Sequence, residues 1–145
     1  MNTAHTNTNN RAASRCRRAG VAAVEFALVA PVFFVLVFGM IEFGRMVMVQ
    51  QILTNASREG ARRAVLDGAT STNVNTVVDD YLTSASISGA SVAITPGTPS
   101  SAAFGDPVTV VISVPFSSVS WMPSPWFLTA TTLTATTVMR REGGP

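Results

Sequence analysis

Residues 21–41, VAAVEFALVAPVFFVLVFGMI, constrain this chain more than any other stretch. Twenty of the 21 residues are apolar, Gly or Pro, and the remaining one is Glu25. As an α-helix rising about 1.5 Å per residue, the run reaches roughly 31 Å, close to the thickness of a bilayer's hydrocarbon core. From Phe26 to Ile41 there are only 16 uncharged residues, or roughly 24 Å. A full span therefore needs the residues on both sides of Glu25. A cleaved secretory signal also joins a basic start to an apolar core. Here the run is long, contains an acid and ends in IEFGR, with no small-x-small cleavage site close behind. A lipoprotein signal fails because Cys16 precedes the run. A plain single-span anchor remains open.

Charge and reactive residues narrow the function. Charged residues are 12% of the chain, about half the share of an average soluble domain. All ten basic residues are Arg, while His5 and Cys16 are the sole His and Cys. No lysine chemistry is available, and a Cys-His pair, a Ser-His-Asp triad or a zinc cage would have to draw on the first twenty residues. The expectation is no enzyme, no catalytic residue, no metal and no cofactor. Arg11, Arg15, Arg17 and Arg18 stand before the apolar run with no acid among residues 1–20; residues 21–145 hold six Arg and eight acids. The basic balance belongs to a leader, and no stripe of Arg and aromatics follows it, so nucleic acid is not an expected partner. The four leader arginines place the N-terminus in the cytoplasm and the rest in the periplasm.

Glu25 needs an explanation. A carboxylate at the centre of a membrane helix costs up to ~3 kcal/mol on insertion scales, and less near the end. The stretch Arg17-Arg18-Ala19-Gly20 precedes Val21, and Glu25 is the fifth residue after Gly20. A cut between Gly20 and Val21 creates an ammonium on Val21. Glu25 can pair with that group on a staggered neighbouring subunit, and its place in the first turns of the new helix suits the macrodipole. Alternatively, Glu25 sits at the headgroup level of an uncut anchor.

The segment RRAGVAAVEFALVAPVFFVLVFGMIEFGRMVMVQQILTNASREGARRAV resembles the TadE-like pseudopilins of the tight-adherence (Flp) type IV pilus system. The resemblance rests on G-x-A-x-V-E-F-A-L-V-x-P, Gly20 to Pro31, and on R-E-G-A-R, Arg58 to Arg62. The ending T-T-V-M-R-R-E, Thr136 to Glu142, is a weaker feature. It implies cleavage after Gly20 by a prepilin peptidase. It also implies partnership with other pilin-like subunits, the major Flp pilin and an inner-membrane assembly platform. The implied role is in assembling an adhesive pilus rather than forming its main subunit.

Beyond the span, Val49, Ile52, Leu53, Ala56, Gly60 and Ala64 keep a three-to-four-residue spacing, so the helix continues. Ala56, Gly60 and Ala64 form a row of small residues, suited to packing either against the chain's own C-terminal domain or against other pilin-like subunits. Asp67-Gly68 ends the helix, with Gly68 as a left-handed cap. Residues 74–82 read as a short amphipathic helix. The period then changes to two at residues 91–95, 108–114 and 130–139, which predicts three antiparallel strands. Trp121-Met-Pro-Ser-Pro-Trp-Phe-Leu128 holds both tryptophans, and its two prolines exclude a regular central strand. This stretch through Phe127 either tucks under the sheet or faces the membrane interface or a partner.

The expected fold is α+β. Residues 1–20 form a basic cleavable leader. Residues 21–66 form a long helix, and residues 67–145 form a small periplasmic domain of one short helix and a three-stranded antiparallel sheet. The expected location is the bacterial inner membrane, single-pass, with possible incorporation in the pilus. The alternatives are an anchored periplasmic binding domain or an adhesin, without cleavage at Gly20.

Overall fold

The computed structural model describes residues 7–121 and 131–141. His5, Trp126, Phe127, Ala130 and Glu142 lie outside them. The fold is α+β, with a long apolar helix, a short helix and a three-stranded antiparallel sheet. Helix α1 spans Asn7–Ala64. It starts before residue 21, the expected beginning, because Ala and Arg, which dominate residues 11–19, are strong helix formers. Pro31 lies inside α1. Its missing N–H and ring leave the carbonyl near Ala27 to be satisfied otherwise, which membrane helices tolerate. After Ala64, Gly68 takes φ +68°. Without a Cβ it adopts this left-handed turn at no steric cost.

The chain divides into two compact units, Met1–Ile41 and Glu42–Pro145. In the first, Phe26, Leu28, Val32, Phe33, Phe34 and Leu36 are all more than half exposed. The Phe33 and Phe34 rings meet edge-on at 5.9 Å, and Phe34 lies 6.5 Å from Phe38, four residues on. This part of α1 is long and apolar enough to cross a membrane.

The second unit contains residues 42–64 of α1 as well as the elements after it. Helix α2, Ser71–Ser84, begins where the Thr70 hydroxyl accepts from the Asn73 N–H at 3.2 Å. That bond satisfies one of the donors orphaned at a helix start. Its buried residues are Val74, Val78 and Leu82, four apart on one face. Strands β1 (Ser91–Thr95), β2 (Pro107–Pro115) and β3 (Thr132–Arg140) pair antiparallel in that order. Val92 faces Ile112, and Ile112 faces Ala135. Alternation sends Val108, Val110, Ile112 and Val114 of central β2 to one buried face. They join Val49, Leu53 and Ala56 of α1, the α2 face and Phe116 in one core. Polar ties fix α1 beside β3. Gln50 Nε2 donates to the Thr134 carbonyl at 3.0 Å, and the Ser57 and Thr137 hydroxyls share a hydrogen bond of 2.7 Å. Farther along, Arg141 donates to Asp67 at 3.3 Å and to the Ser100 carbonyl at 2.6 Å.

Candidate assembly helix

All the residues singled out for assembly lie on α1. Gly20, Val21 and Glu25 belong to the first unit. Val21 and Glu25 are four apart, so they share a helical face. Val21 is 57% exposed, and Glu25 is exposed as well. A Cβ added at Gly20 would meet no heavy atom within 4 Å. Packing does not demand glycine there; its effect on the helix is to weaken it, by about 1 kcal/mol relative to Ala.

Ala56, Gly60 and Ala64 belong to the second unit, and all three are buried. A Cβ on Gly60 would come 2.7 Å from Val78 Cγ2 and 3.5 Å from Val110 Cγ1. The row of small residues is therefore filled by this chain's own α2 and β2. The opposite face of the same turns carries Phe43, Val47, Gln51, Asn55, Arg58 and Arg62, all exposed. An open groove beside Phe43, Met46, Val47 and Gln50 reaches Leu133 of β3. On this outer face Arg62 Nε donates to Glu59 at 2.9 Å. That hydrogen bond, helped by the charge attraction and opposed by slight burial, holds the Glu59 carboxyl below its ordinary value and raises Arg62.

Two functional candidates escaped the sequence. Glu42, one residue past the apolar run, is only 4% exposed, and both its oxygens accept from Ser120 Oγ at 3.1 Å. Arg45 Nε donates to the Val119 carbonyl at 3.1 Å, and its guanidinium lies 5.3 Å from the centre of the Trp121 ring. The available signal was their spacing: an acid and an arginine three apart, so on one helical face, in an otherwise apolar run. Their partners are 78 and 74 residues away, which no local pattern reveals. Trp121 itself is 75% exposed, so it does not tuck under the sheet.

Comparison with curated proteins and with solved structures gives no match. The family model described as TadE-like protein matches residues 20–62, the part of α1 from the glycine before the apolar run to the outer arginine paired with Glu59.

Proposed function

We propose that the chain is a minor pilin-like subunit, a pseudopilin, that takes part in assembling an adhesive Tad/Flp type IV pilus through α1. The carrying observation is that the TadE-like match opens on an exposed apolar helical run, residues 21–41, in which Glu25 is the single acid. In the proposed mechanism, a prepilin peptidase cuts after Gly20. Glycine there weakens the helix locally, by about 1 kcal/mol relative to Ala, which favours opening of the backbone at the cut. The new Val21 ammonium and Glu25 then set the register between staggered neighbours. Lateral association joins the apolar helix to other pilin-like subunits, the major pilin and the inner-membrane platform. No enzymatic step is assigned to the chain.

The test has two linked arms. N-terminal sequencing of protein extracted from membranes of the native host should find Val21 first, and Gly20→Val should leave the chain uncut. Glu25→Gln keeps the shape and removes the charge. It should insert at wild-type level, lose cross-links to other pilin-like subunits and lower pilus number. A moderate loss is expected, since charge pairing out of water is partly offset by desolvation. A mature chain starting at Met1 or Asn2, or normal piliation with Glu25→Gln at equal protein level, would leave a constitutive anchor instead.

A further inference from the structure

Residues 119–121 are tied to the first turn of α1 in the second unit at three successive positions. The Val119 carbonyl takes the Arg45 Nε–H, the Ser120 hydroxyl donates to Glu42, and the Trp121 ring lies against the Arg45 guanidinium. The ring is held on one side and stays 75% exposed. Such a ring beside a guanidinium is amphipathic, with an apolar body, an indole N–H and a fixed cation. Arg45 follows Ile41, the last residue of the apolar run, by four positions, or about 6 Å of helix. The headgroup layer on each side of a bilayer is about 5–8 Å deep. Phe43, Val47 and Met48 remain 62%, 47% and 49% exposed through this stretch, so the outer face of α1 stays apolar across that depth. Tryptophan concentrates at this level of membrane proteins, where its ring meets both tails and headgroups.

We propose that Trp121, held by Arg45, is an interfacial lipid contact that seats the 116–121 turn in the headgroup layer where α1 leaves the bilayer. The occupant is the phospholipid bilayer itself. Two sequence features favour it over a protein partner: Glu42, Phe43 and Arg45 follow the apolar run within four residues, and residues 121–128 carry no charge. Glu42 fits the same arrangement. A carboxylate at the edge of the hydrocarbon is costly without a partner, and the Ser120 hydroxyl supplies a hydrogen bond from the turn that carries Trp121. The proposal rests on residues 21–41 being a membrane span.

The experiment uses the full chain in phosphatidylethanolamine–phosphatidylglycerol vesicles. Trp126→Phe leaves Trp121 as the single tryptophan, and the wild-type chain is read beside it so that a folding defect in the variant cannot decide the result. Trp121 emission should be blue-shifted and shielded from aqueous iodide. It should be quenched by phospholipids brominated near the headgroup end of the acyl chains more than by those brominated near the bilayer centre. The pattern should not change with the protein-to-lipid ratio. Emission open to iodide and insensitive to bromine, in a chain that resists alkaline extraction, would overturn the proposal and leave the span intact. Quenching that depends on protein density would assign the ring to a neighbouring copy and overturn it too. Release of the chain by alkaline carbonate would overturn the span, and the proposal with it.

Discussion

At Gly60 a helix crosses a strand and a second helix at a distance that a side chain would fill. Val78 and Val110 are fully buried, and a β-branched side chain has few rotamers into which to retreat. Gly60→Ala gains helix propensity but forces its Cβ against Val78 Cγ2; overpacking of this kind costs about 1–3 kcal/mol. We expect a net loss of about 1 kcal/mol, after a helix-propensity gain of similar size is deducted. Denaturant unfolding of the full chain in detergent micelles would measure it, and adding Val78→Ala should restore part of the loss. Glu59 tests electrostatics at the same scale. Its folded-state pKa is depressed by the Arg62 hydrogen bond. Such a carboxyl stabilises the fold above its unfolded pKa and loses that contribution as pH falls through its folded pKa. Glu59→Gln should therefore be slightly less stable than wild type at neutral pH. The two should converge as pH drops below the ordinary value of 4.5. Because the pair is exposed, added salt should shrink the difference as well.

Among the elements, α2 shows how little sequence is needed to build a short helix when a core waits for one face. Its apolar spacing was legible from residue 74, but its start at Ser71 depends on the Thr70 cap. Thr70→Ala removes the acceptor for the Asn73 N–H and should destabilise the second unit by about 1 kcal/mol, seen as a lower midpoint in the same unfolding measurement. Thr70→Asn or Thr70→Ser should retain most of the stability, which separates the cap from any other role of the side chain. In α1 the pattern changes character after Met48. Up to Met48, exposed apolar residues continue on the outer face; from Val49 on, the apolar residues fall on the face that packs into the core. A helix apolar on every side suits a lipid surrounding, whereas one with a stripe suits a folded domain.

For the whole molecule, the distribution of arginine makes a directional prediction. Four arginines stand within ten residues before the span, so the segment before it should remain cytoplasmic and residues 45–145 periplasmic. A reporter active only in the periplasm, fused after Pro145, should give signal. Signal from a cytoplasm-only reporter at the same position would reverse the orientation. Moving the arginines should matter more than moving acids, since the bias follows Lys and Arg rather than net charge.

The sequence by itself determined the apolar run, the position of Glu25 within it, the helical spacing that follows and the change to strand alternation. Each is a relation between residues a few positions apart, set by the 3.6- and two-residue periods of the backbone. The pairing of β1, β2 and β3 in chain order agrees with the tendency of consecutive strands to lie as neighbours. Tertiary structure decided what those faces meet. Ala56, Gly60 and Ala64 formed a row open to two partners, and the close approach of Val78 to Gly60 shows that this chain fills it. In the sequence Glu42 is the acid of the IEFGR in which the apolar run ends, with no local sign of burial. Its burial against Ser120 and the hold of Arg45 on Val119 and Trp121 join residues more than 70 positions apart. Such contacts form only once the sheet has packed on α1, because side-chain burial and hydrogen-bond satisfaction depend on distance in space rather than along the chain.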